Sequence, residues 1–391
     1  MKRSTSGNIL TTHAGSLPRP RELAGRLYQP RDEAFYALAR EAVAGVVQHQ
    51  IAAGITVISD GQQTIPGFNV YVPFRYTGFE QRGADAWWPQ DLRDHPELGA
   101  RFLSPEQRKA VPTPTCVAPI EPRDAEAVHQ DIDLFNRALK EATGYEEAFM
   151  CSASPGAVAT AMPNVYYPSR VDYLNALADA MADEWRAILQ AGFVLQLDCP
   201  DLAMDRAVHF ADAPLEAFRA HVRENLAAIR RGLAGIPADQ VREQVRIHVC
   251  HGNYPGTHHR DVAIGDILDL LLSAPCGALS VVAANSQHHA TTLRAIKQWV
   301  NTREWPAGKI LIPGVIDTLT PVEEHPDTVA DTIADYANLI APQNLVAGTD
   351  CGFQTIVGVG QVIPETAVWS RLGVLAEGAR RAPKRLAGGV R

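Results

Sequence analysis

The sequence has no run of lysine or arginine, and acidic residues outnumber basic ones, 44 against 36, leaving a net charge of −8. Nucleic acid and an anionic membrane surface are therefore excluded as main partners. Its longest apolar stretch, residues 270–284, is interrupted by Pro275 and Gly277 and is too short to span a bilayer. The opening MKRSTSGNIL has two basic residues but no apolar core, so no signal peptide is expected and the cytosol is the expected compartment. Cysteine is scarce: six in 391 residues, at 116, 151, 199, 250, 276 and 351. That scatter argues against a disulfide framework and for free thiols or metal ligands. There is no GxSxG elbow for a nucleophilic serine, and GVGQV (358–362) does not have the spacing of a dinucleotide loop.

What remains is 46% hydrophobic and 20% charged, enough for a sizeable core. Eight short β-rich runs recur: 9–15, 55–59, 146–152, 193–198, 245–250, 279–284, 309–315 and 345–349. Helical patterns alternate with them. Phe35, Leu38, Ala42 and Val46 fall on one face, as do Leu174, Leu177, Met181 and Trp185. Further helices are expected near 214–233, 262–273, 288–302, 327–341 and 364–380. The alternation predicts an α/β fold, a (β/α)8 TIM barrel in a single domain over 1–391, with an open doubly wound sheet as the rival. Residues 64–124 break the rhythm between the second and third strands. They hold Phe68, Tyr71, Phe74, Tyr76, Phe79, Trp87 and Trp88. A long insertion there overhangs the catalytic face of a barrel, so a cap is expected.

The run RIHVCHGN raises a chemical question, because His248 and Cys250 stand two apart on a strand and face the same way. An imidazole and a thiolate are common zinc ligands, but zinc requires more than a pair. Cys351, in GTDCGF after the last strand, is 101 residues from Cys250 (351 − 250). Only a fold that gathers strand ends unites them. An HxC pair alone is more often packing than ligation.

Seven motifs, TTHAGSLPRP (11–20), ISDGQQ (58–63), QLDCPD (196–201), HVCHGN (248–253), AAN (283–285), PGVID (313–317) and GTDCGF (348–353), stand in the order found in cobalamin-independent methionine synthase. The chain resembles that enzyme's C-terminal catalytic barrel and its single-barrel relatives, the epoxyalkane:coenzyme M transferases included. The resemblance implies a Zn2+ ion held by His248, Cys250 and Cys351, with a small thiol as substrate and a methyl or alkyl donor. It further implies acceptor contacts from Ser16, Gln62, Asp198 and Asn285, with Asp317, His13 and His251 as candidate catalytic groups and His258 as a further proton donor.

Several positions depart from the pattern. The family's fourth ligand is a glutamate where this chain has Val282, so the site has three protein ligands or draws on His251, His258, His259, His288, His289, Glu323 or Glu324. Gln62 replaces a glutamate and Leu319 replaces a histidine, and a single barrel is expected, without the second that grips a polyglutamyl folate in the family's full-length enzymes. The leading expectation is methyl or alkyl transfer to homocysteine or an analogue. Its rivals are epoxide opening by zinc-bound coenzyme M, as in a 2-hydroxyalkyl-coenzyme M lyase, and a barrel that binds metal or ligand without turnover. A homo-oligomer is compatible with either.

Overall fold

The computed structural model describes residues 1–82, 88–103, 113–359 and 363–387. Nine strands are assigned among them: β1 Val57–Ser59, β2 Phe79–Gln81, β3 Pro114–Cys116, β4 Glu147–Ala153, β5 Val194–Asp198, β6 Val245–Val249, β7 Ala278–Val281, β8 Ile310–Ile316 and β9 Gly348–Thr349. Seven form one parallel sheet in the order β1-β4-β5-β6-β7-β8-β9. β2 and β3 form a separate antiparallel pair. β5, β6 and β7 are buried at every position, which is why they read as unbroken apolar runs with few polar interruptions. Those interruptions, Gln196, Asp198, Arg246, His248 and Ser280, are the polar side chains of the interior.

The result is an α/β fold with a curled parallel sheet of seven strands. Seven of the eight expected strands are present. The run 9–15 is reduced to a single bridge, Thr11 to Ala347. Side chains take the place of ladder bonds there: Leu10 N–H donates to Ser4 Oγ (2.9 Å) and Thr11 N–H to Thr56 Oγ1 (2.8 Å). The strip still touches both margins of the sheet. Ala347 N–H donates to Leu10 O and Thr12 N–H to Ala347 O (both 2.9 Å), while Val57 N–H donates to Thr11 O (2.8 Å).

Helices cover the sheet at Glu33–Ala52, Glu126–Lys140, Arg170–Gln190, Leu215–Gly232, His289–Thr302, Pro326–Ile340 and Glu365–Ala387. In Arg170–Gln190 the expected stripe of Leu174, Leu177, Met181 and Trp185 is buried. In Glu33–Ala52 the buried stripe includes Phe35, Ala42 and Val46, but Leu38 is only half-buried and Ala39 and Val43 face inward. The helix expected over 262–273 splits into a 3-10 turn, Ile264–Asp266, and Leu268–Leu272. Pro275 bars its continuation. Ser169 caps Arg170–Gln190 by accepting from Asp172 N–H (3.1 Å). Ser169→Ala is expected to cost about 1 kcal/mol, read as a lower urea midpoint with an unchanged slope.

Among its described residues, segment 64–124 carries the β2–β3 pair and the short helices Val72–Arg75, Gln90–Asp94 and Pro96–Phe102. Its residues 83–87 and 104–112, with Trp87, lie outside the described residues, as do 360–362 of GVGQV. A buried ionic network ties it to the sheet. Arg75 pairs with Glu184 (2.8 Å) and Asp131, and Glu184 also accepts from Tyr71 and Ser152 (2.7 Å each). Ser152 is consumed there and does not line the cavity described below. Among the described residues no helix is long and apolar enough to cross a membrane.

Candidate functional site

The C-terminal end of β6 delivers His248, and the next turn delivers Cys250; Cys351 lies two residues beyond β9. One donor atom from each lies within 4.8 Å of the others, and all three residues are buried. The two sulfurs are 3.5 Å apart. Two sulfurs at about 2.3 Å from a tetrahedral centre stand about 3.8 Å from one another, so the spacing fits a metal ion. His248 Nδ1 lies 3.4 Å from Ser280 Oγ, while Nε2 is buried without a hydrogen-bond partner. A buried imidazole nitrogen left unpaired is costly, and a cation beside it removes the cost.

The sulfurs divide their protons unequally. The hydrogen bond with Cys351 and the neighbouring His248 pull the Cys250 thiol well below its ordinary range, and the same bond together with burial pushes Cys351 up. Gly252 N–H donates to Cys250 Sγ (3.2 Å), further support for a thiolate.

Asp350 sets the position of Cys351. Its Oδ1 accepts from Ala283 N–H (2.7 Å) and Ala284 N–H (2.8 Å), and its Oδ2 from Asn285 N–H (2.8 Å). One carboxylate thus locks the turn after β7 to the segment after β9. Gly314, in PGVID, admits this carboxylate, because a Cβ there would collide with Asp350 Oδ1. Val282, where a fourth ligand was sought, forms a small apolar cluster with Cys250 and Cys351.

None of the other residues considered as a fourth ligand joins the three. His258 is doubly engaged, through Nδ1 with Asp261 (3.1 Å) and through Nε2 with Tyr254 O (3.0 Å). Burial acts to lower it, yet the bonds to Asp261 carry it up to about 9. His259 pairs with Asp94 on the surface, His289 with Ala283 O, and Glu324 with Arg371. Glu323 is exposed. His251, Asp261 and His288 form a second cluster of donors. There the two imidazoles stack at 3.9 Å and 14°, so their in-plane lone pairs do not converge on one point.

Above the three donors opens a cavity of about 790 Å3 whose lining includes Ser16, Gln62, Asp198, His248, Cys250 and Cys351. Gln62 holds φ +54°, an uncommon backbone state for a residue with a side chain. Its Nε2 donates to Asp198 Oδ2 (3.2 Å), and its Oε1 is buried without a partner. Ser16 Oγ is likewise unpaired, and Gly352 lies so close that a Cβ would strike it. Burial pushes the Asp198 carboxyl up to about 6, against the pull of His248 and the two glutamine amides. The corner therefore presents an unpaired acceptor, a carboxylate and a hydroxyl.

The remaining candidates lie elsewhere. His13 bonds Gln50 Oε1 through Nε2 (2.8 Å) and accepts from Gly15 N–H at Nδ1; burial pushes it down to about 3, so it is neutral. Asp317 accepts from Leu319 N–H (2.8 Å) and does not line the cavity. Asn285 and His251 do not line this cavity but border a second void of about 20 Å3, whose lining also includes Cys250, Val282, Asp350 and Cys351. Cys199, Cys116 and Cys276 are buried small residues, and Cys151 is half-buried.

Two residues behind the site were not singled out from the sequence. Gln196 Nε2 donates to Asp198 Oδ1 (2.6 Å), and Arg246 Nε donates to Gln196 Oε1 (2.7 Å). Each stands two residues before a site residue, Asp198 or His248, so the strand period was the signal available. Asn253, whose Nδ2 donates to Gly352 O (2.9 Å), joins the loops that carry Cys250 and Cys351.

No family model matches the chain. It is 24% identical over 384 residues to 2-hydroxypropyl-CoM lyase of Xanthobacter autotrophicus, covering 90% of both chains. It is 25% identical over 353 residues to methionine synthase of Thermococcus kodakarensis, covering 88% of this chain and 87% of the other. Among solved structures, a B12-independent methionine synthase from Shewanella sp. W3-18-1 superposes with a TM-score of 0.71 at 20% identity, over 97% of this chain and 99% of that one. A putative vitamin-B12-independent methionine synthase from Listeria monocytogenes gives 0.63 at 16% identity, over 97% and 98% of the chains. The similarity carried by the seven motifs thus extends over most of the chain.

Proposed function

We propose that the protein is a zinc-dependent transferase that alkylates a small thiol, in the manner of methionine synthase, with homocysteine or a close analogue as acceptor. The observation that carries this is the convergence of a His248 ring nitrogen with the Cys250 and Cys351 sulfurs at the floor of a large cavity, together with a His248 Nε2 that is buried and unpaired. Zinc held by His248, Cys250 and Cys351 would supply a Lewis acid that removes the proton of an incoming thiol and leaves its sulfur nucleophilic. Three protein ligands leave a coordination position for that thiol, and Val282 keeps the ligands' flank apolar rather than filling it.

The acceptor's other end meets Gln62, Asp198 and Ser16. Gln62 Oε1 and Asp198 accept from an ammonium, and Ser16 Oγ donates to a carboxylate. This pairing suits an α-amino acid. Coenzyme M has a sulfonate and no amino group, and a sulfonate beside Asp198 would meet repulsion, so the lyase reading ranks second for the acceptor. The strip Leu10–Thr12, bonded to both margins of the sheet, is read as the eighth stave of a (β/α)8 barrel.

Cobalt in place of zinc makes the reading measurable. Adding homocysteine to the cobalt-loaded protein is expected to intensify sulfur-to-metal charge-transfer absorption. In Asp198→Asn the thiol concentration for half the change should rise about 10- to 100-fold, with one metal per chain retained. A spectrum indifferent to thiols would reject the proposal.

A further inference from the structure

We propose that the upper part of the cavity receives an uncharged, predominantly apolar carbon electrophile larger than a methyl or propyl group. This rests on the thiol-alkylation reading above and assigns the second substrate of the same site.

An amino-acid thiol has about eight non-hydrogen atoms and occupies a small share of a cavity in the size range of drug-sized ligand sites, about 300–1,000 Å3. The volume here is about 790 Å3, so most of it is left for the second substrate. Its walls include Phe68, Phe74, Phe79, Trp88, Phe102 and Met162. The rings are set against one another: Trp88 stacks on Phe102 (6.0 Å, 25°), and Phe74 meets Tyr28 edge-on (6.4 Å).

Charge is sparse among the described lining residues. Among the described lining residues the charged or titratable side chains at the floor are Asp198, His248 and the two cysteines, and the one guanidinium is Arg123, whose Nη1 donates to Pro73 O (3.1 Å). Aromatic and thioether walls suit an apolar body.

The transfer balances without a further reactant. The thiol sulfur forms a bond to the electrophilic carbon as that carbon's bond to oxygen breaks. The electron pair leaves with the oxygen, and the proton lost by the thiol ends on it. With an epoxide both products are one molecule, a hydroxyalkyl thioether.

The test uses the full zinc-loaded chain with homocysteine and three electrophiles in parallel: styrene oxide, epoxypropane and triglutamylated 5-methyltetrahydrofolate. Thioethers are counted by mass spectrometry, and binding of the unreactive diol of styrene oxide is followed by calorimetry. Styrene oxide is expected to react at least about ten-fold faster than epoxypropane at equal subsaturating concentration, reflecting its larger apolar area. The diol should bind, and the folate should yield no methionine. Methionine formed from the folate faster than thioether from either epoxide would overturn the inference. So would absence of diol binding and of epoxide turnover in a protein whose cobalt form still responds to homocysteine. If that cobalt response is itself missing, the thiol-alkylation reading has failed, and this inference falls with it.

Discussion

The Cys351→Ser protein is expected to purify with far less than one zinc per chain, its affinity for the ion lowered at least about a hundred-fold. Loss of a group that merely orients a ligand costs 10- to 100-fold in metal affinity, and loss of a ligand should exceed that. A serine hydroxyl keeps its proton where a thiol gives it up, so it is a poor donor to a divalent ion at neutral pH. The effect should be local. Cys351 contacts Cys250 and Val282 in a small cluster apart from the main core, so the urea midpoint of the metal-free variant should lie close to that of the metal-free parent. Competition with a chromophoric chelator measures the affinity. Retention of full metal and full thiol binding would remove Cys351 from the site.

Asp350→Ala should act on both the fold and the ion. Three backbone N–H groups, of Ala283, Ala284 and Asn285, lose their common acceptor at once. Burial pushes this carboxyl up to about 7, so the cost is reckoned from the three buried N–H groups left without an acceptor, about 1–3 kcal/mol each and not additive, for a total of about 3–5 kcal/mol. Because residue 350 precedes a metal donor, the variant should also bind zinc more weakly. Asp350→Asn keeps one carbonyl oxygen and should fall between the two in denaturant midpoint. An alanine variant as stable as the parent would show that this carboxylate does not hold the two loops together.

Much of the arrangement was legible before any coordinates. Strands β4 to β8 announced themselves as apolar runs because both of their faces are covered, and the two-residue strand period brought His248 and Cys250 together in advance. Cys351 needed more, since nothing local links positions 250 and 351; only the order of motifs along the chain suggested that they meet. What escaped has physical reasons. The first strand dissolved because threonine and serine side chains took over its hydrogen bonds, a choice composition does not announce. His13 lies in a motif-rich stretch, yet it turns toward Gln50 in the helix Glu33–Ala52, and no spacing rule discloses that a side chain looks outward. Gln196 and Arg246 were passed over because a polar residue within an apolar run gives no sign of whether it meets substrate or only props a neighbour. The absence of a fourth protein donor was visible at Val282. That none of the alternative histidines joins the three donors is a matter of tertiary contacts alone.

The join at Thr11 has a mechanical consequence. β9 is two residues long, and beyond it only a single bridge and a few hydrogen bonds connect it across the strip Leu10–Thr12 to β1. Ser16 and Cys351 flank this join, and Phe353 N–H donates to Ser16 O (2.8 Å) across it. On the reading proposed above, a local parting of this join would move Cys351 and Ser16 together, and such an event would be seen as fast amide exchange at Thr11, Thr12 and Ala347 relative to the rest of the sheet.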